Sequence, residues 1–341
     1  MLGSLRVPNR VLLAPLAGIG NWFVRLQAKR YGAGMAFSEM ISSHAIHYGN
    51  RKTCVEMLRI HPDERTAGPD GAREGGGPVS IQLFGENPSI MRSAAAHVAA
   101  AGADAIDVNM GCPVRKVCKT GAGVGLLADP DLAVAVARAA RMGAADAGRE
   151  LPVTVKLRSG LRPGECSGFA LAHRLVEEAG VAAITFHPRS AAVRHKGDPD
   201  YELAGRLVRS LPAPVILTGG LGDAARVRAA HRCTGAAAVM LARGSLGNPW
   251  LFRRLLCDFE REPTVAEVLG ELRWTIDRAV EHFGERRACR YLRKLYPWYV
   301  VRLGLDPAGA KRLAEFLQTA ETLDAARDLL DLARLPLPAA A

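Results

Sequence analysis

The run Val153-Thr154-Val155-Lys156-Leu157 is short, rich in β-branched residues and followed by a stretch of helical period containing several alanines. Such a run reads as a strand buried in a parallel sheet, with the helix as its crossover. The same unit recurs on both sides of it. Residues 11–14, 35–38, 79–83 and 105–108 precede it, and 183–186, 215–217 and 238–241 follow. Strands alternating with helices in eight units imply an α/β protein, a (β/α)8 or TIM barrel. A doubly wound sheet is the structural rival. Its Gly-x-Gly-x-x-Gly after the first strand is missing, and the glycines at 121, 123 and 125 follow a different strand.

Each strand has a polar or special residue at or near its end: Pro15, Glu39, Gln82, Asn109, Lys156, His187, Thr218 and Arg243. In a barrel these positions converge on the carboxyl-terminal rim, where the fold carries its chemistry. Any one of them could be an ordinary polar strand terminus, but the set includes a lysine and a glutamine inside apolar runs. Residues 63–78 read as a flexible loop by composition, with no evident role. Beyond about Pro249 strands give way to helical periodicity over 251–259, 265–283, 288–303 and 310–332. The expected division is a barrel over residues 1–250, a small all-helical domain over 251–334 and a frayed tail over 335–341.

The chain has 341 residues, 49% of them hydrophobic, enough for a sizeable core. No leader pattern and no run of about 18 apolar residues appears, so a soluble, cytoplasmic protein with no membrane association is expected. Seven cysteines without a Cys-x-x-Cys pair suggest neither a disulfide framework nor a metal site, so a functional cysteine would act alone as a thiol. The net charge is +11, and residues 251–341 contribute little to it, with 15 basic and 14 acidic side chains. A basic surface of this kind suits nucleic acid, a membrane surface or small anions.

The ends of the seventh and eighth strands, Thr218-Gly219-Gly220 and Ala242-Arg243-Gly244, occupy the usual phosphate position of this fold. Glycines let backbone N–H groups approach an anion, and Arg243 adds a charged fork. Gln82 presents a donor and an acceptor in one plane, which suits a flavin edge, and Lys156 could place charge beside the N1/C2 region of a reduced flavin. The plainer reading of Lys156 is a salt bridge, for instance to Glu39. Cys112, in Asn109-Met110-Gly111-Cys112-Pro113, could protonate a carbon at the barrel mouth. The other six cysteines read as core fillers. His187 and Arg189 in His-Pro-Arg-Ser are either a strand terminus or contacts to a ligand. Between Glu285 and Asp306 no acid occurs, while Arg286, Arg287, Arg290, Arg293, Lys294 and Arg302 do. Arg286, Arg290, Arg293 and Lys294 could share a helical face for phosphates, with Tyr291, Tyr296, Trp298 and Tyr299 stacking on bases or packing in a core.

In order and spacing the motifs resemble the bacterial tRNA-dihydrouridine synthases, most of all the branch labelled B, over nearly the whole chain. The matching stretches are Ala14-Pro15-Leu16-Ala17-Gly18 with Phe23 and Arg25, Ser38-Glu39-Met40, Ile81-Gln82-Leu83-Phe84-Gly85, Asp107 to Pro113, Gly121-Ala122-Gly123, Val155-Lys156-Leu157-Arg158, Arg243-Gly244 with Gly247-Asn248-Pro249-Trp250, and Arg293-Lys294 with Trp298-Tyr299. The resemblance implies FMN as cofactor, NADPH as reductant, NAD(P)H and tRNA as partners, and no metal. It assigns Pro15, Leu16 and Ala17 to the flavin through their backbone, Gln82 and Lys156 to its ring, and His187, Thr218, Gly219, Gly220, Ala242 and Arg243 to its phosphate. Cys112 becomes the proton donor, Asn109 and Arg189 face the substrate, and the helical tail holds the tRNA. The chain departs from the family at His187-Pro188-Arg189-Ser190, where His-Gly-Arg-Thr is common, at Thr218-Gly219-Gly220 for Asn-Gly-Asp, at Ala242 for Gly, at Gly20-Asn21 for Thr-Asp, and at Leu295 for His.

Two further classes of function fit parts of the pattern. A small-molecule FMN oxidoreductase of the dihydroorotate or dihydropyrimidine type would share the rim but has no use for the basic tail. A non-catalytic RNA-binding protein would explain the charge but not Gln82, Lys156 and Cys112 at strand ends.

Overall fold

A computed structural model describes residues 1–65, 76–257 and 261–332. Eight parallel strands form a closed barrel in sequence order: β1 (Val11–Leu13), β2 (Met35–Ser42), β3 (Val79–Phe84), β4 (Ala105–Met110), β5 (Val153–Arg158), β6 (Ala183–His187), β7 (Val215–Thr218) and β8 (Ala238–Leu241). Every expected strand is present. β8 pairs with β1 through Val11 and Val239, which closes the ring. Helices follow the strands, and several open on an acid or amide cap: Asn87 accepts from Ile90 N, Asp129 from Leu132 N, and Asp200 from Leu203 N.

β2 continues four residues beyond its expected end. Phe37 pairs with Ser80 but Met40 with Gln82, so β2 holds one extra residue there, a bulge. The Ser38 hydroxyl fills the break in the ladder by accepting from Gln82 N at 2.9 Å.

Side chains two apart on a strand share a face. Leu12, Ala14, Met35, Phe37, Ala105, Ala183, Ile216 and Met240 pack with Leu2 into one apolar cluster, against which Leu5 and Val7 also lie. Leu2 and Leu5 form a short antiparallel bridge, so the first residues add a floor of side chains to this layer. Further along the strands lie the polar residues Gln82, Asp107, Thr154, Lys156, Thr185 and His187, all buried except the partly buried Lys156. The interior is a packed core that turns polar towards the carboxyl ends of the strands.

The chain divides into two compact units, Met1–Gly244 and Ser245–Ala341. The described part of the second unit is helical: Trp250–Leu256, Val265–Phe283, Glu285–Leu292, Tyr296–Val300, Pro307–Thr319 and Leu323–Leu332. Two expected helices are each broken into two. Pro297 has no N–H to give the carbonyl of Arg293 four residues earlier, and the Gln318 side chain donates to that carbonyl instead at 3.1 Å. A second break comes at Ala320, whose backbone is not helical. The next helix begins with Ala325 N donating to the Thr322 hydroxyl. The end of the helix expected over 251–259, most of the glycine-rich loop and the tail from 335 lie outside the described residues. Among the described residues no helix is long and apolar enough to cross a membrane.

Candidate active site at the carboxyl end of the barrel

Four side chains on β3, β4 and β5 form one buried polar network. Gln82 Nε2 donates to Asp107 Oδ2 at 2.6 Å, Thr154 Oγ1 donates to Asp107 Oδ1 at 2.5 Å, and Asn109 Nδ2 donates to Gln82 Oε1 at 2.9 Å. The carboxylate fixes which end of the Gln82 amide is the donor, because it can only accept. Its burial pushes the Asp107 carboxyl up to about 6, against the pull of the hydrogen bonds from Gln82 and Thr154 and the charge of Lys156.

Asn109 also controls the next loop. Its Oδ1 accepts from Gly111 N at 3.2 Å and Cys112 N at 2.9 Å, so one carboxamide orients Gln82 and holds the turn that presents Cys112. Cys112 is partly exposed. Its carbonyl accepts from Val124 N and from the Cys118 thiol, each at 3.2 Å, which folds the loop back on itself. Gly123, at φ +61°, allows that return, since a Cβ there would sit 2.7 Å from the Cys112 carbonyl oxygen.

The rim after β5 and β6 is cationic. Arg158 is buried and donates to the carbonyls of Gly111, Ser190 and Arg194, joining the loops after β4, β5 and β6. Arg194 adopts φ +54°, uncommon for a side chain of this size. Arg189 donates to Gly197 O at 2.6 Å and lies 3.4 Å from His187 Nε2. The His187 and His195 rings stack at 6.0 Å. Burial, followed by Lys156, Arg158, Arg189 and His195, drives the His187 imidazole well below its ordinary range, so it is neutral. His195 falls to about 4 through burial and four surrounding cations, Arg243 foremost. Burial and then Arg158 push the Lys156 ammonium down to about 8, and the Arg158 guanidinium itself falls to about 10.

This side of the site fits an anion. Lys156 Nζ has no hydrogen-bond or ion-pair partner among the described residues. The salt bridge to Glu39 is not formed, and Glu39 Oε2 accepts from Gly18 N at 2.8 Å. Gly219, at φ +101°, lies against His187, and a Cβ there would come within 2.4 Å of the imidazole. Tyr201 Oη donates to the Gly219 carbonyl and Thr218 Oγ1 to that of Met240, while the backbone N–H groups of Gly219 and Gly220 have no acceptor among the described residues. Arg243 is exposed beside them, after β8. Pro15, Leu16 and Ala17 form the turn after β1, closed by Gly20 N donating to Leu16 O at 2.7 Å. A phosphate and an electron-rich ring edge match these donors. No group of three His, Cys, Asp or Glu side chains suited to a metal occurs among the described residues.

In the helical unit Arg286, Arg287, Arg290 and Lys294 are exposed. Arg287 lies over the Phe283 ring and Lys294 over Tyr291. Arg293 does not share their open face; it is half-buried and donates to Ala320 O at 2.9 Å. Tyr291, Tyr296 and Tyr299 are core residues, and Tyr299 Oη pairs with Thr275 Oγ1 at 3.1 Å. Cys166, Cys233 and Cys257 are exposed and not core fillers, because they fall on solvent-facing positions outside the inward stripes.

A family model described as "Dihydrouridine synthase (Dus)" matches residues 12–334. The chain belongs to the dihydrouridine synthase family. It is 30% identical over 326 residues to the tRNA-dihydrouridine synthase B of Pseudomonas aeruginosa, covering 94% of this chain and 92% of that one. With a probable tRNA-dihydrouridine synthase 1 of Synechocystis sp. it shares 35% identity over 341 residues, covering 97% and 88%. Among solved structures, histamine dehydrogenase from Rhizobium sp. 4-9 shares the fold, with TM-score 0.51 and 15% identity over 75% of this chain. The chain spans about half of that structure, 47% of its length.

Asp107, Arg158, His195 and Cys118 join the site of this dihydrouridine synthase without a role expected from the sequence. Asp107 had a signal, a charge two residues before Asn109 on an apolar strand. His195 and Cys118 had none, because loop folding alone brings them in.

Proposed function

We propose that this dihydrouridine synthase is an FMN-dependent enzyme that uses NADPH to reduce the C5=C6 bond of uridines in tRNA, acting in the cytoplasm. The observation that carries the reading is a partly exposed cysteine on the same rim as a cationic, glycine-lined cradle, its turn held by Asn109, which also bonds to Gln82. Bound there, FMN would supply hydride, taken from NADPH, to C6 of the uracil.

The backbone N–H groups of Gly219 and Gly220, with Arg243, neutral His187 and the turns at Thr218 and Ala242, would hold the phosphate. Lys156 and Gln82 would meet the ring edge, and residues 15–17 would line it with backbone. Gln82 arrives with its amide already oriented by Asp107, so ordering costs little on binding. The Cys112 thiol would give its proton to C5, completing addition of hydride and proton across the double bond, and the thiolate would regain a proton from solvent. Asn109 and Arg189 would face the base. A uridine reaches such a recessed site only after leaving the tRNA stack. In this reading residues 1–250 bind FMN, and residues 251–334 bind tRNA through Arg286, Arg287, Arg290 and Lys294, with Arg293 acting mainly as a brace.

Purified protein should be yellow, release FMN on denaturation and be bleached by NADPH. Oxidation by tRNA but not by free uridine or orotate is expected, and a preference for the free pyrimidines would overturn the tRNA assignment. Cys112→Ala should keep its flavin and lose dihydrouridine formation by roughly 10²- to 10⁴-fold. Wild-type turnover by that variant would remove the cysteine from the acid role.

A further inference from the structure

The loop that presents Cys112 carries an exposed basic face of its own. From Val108 to Ala128 there is no acidic residue, while Arg115, Lys116 and Lys119 all fall there. The short helix Arg115–Cys118 turns Val117 and Cys118 inward, Val117 into a buried site and Cys118 towards the Cys112 carbonyl. Arg115, Lys116 and Lys119 lie on its other side, all exposed. None of the three side chains has a hydrogen bond or ion pair among the described residues. The neighbouring carboxylate, Glu86 beside Gly121, faces His44 at 3.6 Å. Three unpaired cations so near one another repel, and nothing in the fold of the loop uses them.

Chain length bounds their distance from the thiol. Three residues of backbone span at most about 11 Å and four about 14 Å, so Arg115 and Lys116 stand within a side chain's reach of the space around Cys112. A nucleotide drawn out of a strand keeps its phosphates on the strand, and these must pass over the rim next to the pocket that takes the base.

We infer that Arg115, Lys116 and Lys119 form an RNA-backbone clamp on the barrel itself, gripping the phosphates that flank the uridine presented to Cys112. The clamp rests on the tRNA reading above and adds a contact site outside the helical unit. Its contacts are to phosphate, so it positions the strand without reading sequence. Charge complementarity and its place on the catalytic loop favour RNA over an acidic protein surface, which would have no reason to meet the thiol.

The test is the triple variant Arg115→Ala/Lys116→Ala/Lys119→Ala of the flavin-loaded full chain, with Arg115→Lys/Lys116→Arg/Lys119→Arg as charge-keeping control. Binding of tRNA is measured across a salt series. Three lost phosphate contacts should flatten the slope of log K against log salt by about 2 and weaken binding on the order of tenfold. The control should restore both, and flavin content and reduction by NADPH should stay at wild-type values. An unchanged slope and affinity would overturn the clamp. So would a parallel loss of NADPH-dependent reduction, which would give the cations to the dinucleotide. Should the triple variant flatten the slope while wild-type protein forms no dihydrouridine, the proposed reaction fails and the three cations remain an RNA-backbone contact.

Discussion

Lys156 couples the site to pH in a direction that can be worked out. Its ammonium, brought down to about 8 in the flavin-free site, is half neutral there at that pH. An anion beside it favours the charged form, so flavin binding takes up a proton above pH 8 and none well below it. Affinity for FMN should be flat from pH 6.5 to 7.5 and then fall, by at most about tenfold per pH unit, as fluorescence titrations would record. Lys156→Arg stays charged and should remove the falling limb, and a flat wild-type curve would take Lys156 away from the anion. Lys156 and Gln82 were legible as polar residues inside apolar runs. The partner that orients Gln82 was not, because pairing of Gln82 with Asp107 depends on the register between two strands, which no local pattern encodes. For the same reason the placement of Cys118 and His195 had to come from how their loops return to the rim.

At the scale of elements, the connection between β2 and β3 is held by one buried ion pair. Arg25, on the helix Trp22–Arg30, forks onto Glu64 of the turn Pro62–Glu64 with Nε at 2.7 Å and Nη2 at 2.8 Å, both side chains fully enclosed. Lys29 adds bonds to the carbonyls of Glu64 and Gly77, at 2.6 and 2.5 Å. Removing one partner leaves a charge in a dry site, at a cost of about 3–5 kcal/mol. Glu64→Gln should lower the unfolding free energy of the barrel by that much, read from the shift of its urea midpoint, whereas Arg25→Met/Glu64→Met should lose far less. Equal losses would mean the site is open to water. Arg25 was visible only as part of a family motif, since its distant partner follows from the fold. Helix breaks were obscured for a different reason: the periodicity that marks a helix runs on through Pro297 and Ala320, while the stops are made by caps and by Gln318 from a separate helix.

Over the whole molecule, the positive excess belongs mainly to the barrel segment, and the helical unit is nearly neutral, although Arg286, Arg287, Arg290 and Lys294 stand exposed within one short stretch of it. If that stretch meets tRNA, Arg286→Glu/Arg290→Glu should weaken tRNA binding on the order of tenfold or more, alike for different tRNAs. The effect should fall on KM more than on kcat. Unchanged binding would make the stretch a solvated surface. The aromatic residues threaded among these cations could not be sorted from sequence, because a helix offers the same residues to a core and to a ligand. Packing placed three of the tyrosines in the core.

The apolar floor under the barrel has a consequence for traffic. With Leu2, Leu5 and Val7 against that end and hydrophobic side chains filling the bore, nothing can thread through the barrel from below among the described residues. If a reductant and its acceptor both act at the rim, they approach from the same end, and a visitor would have to depart before its successor could be admitted.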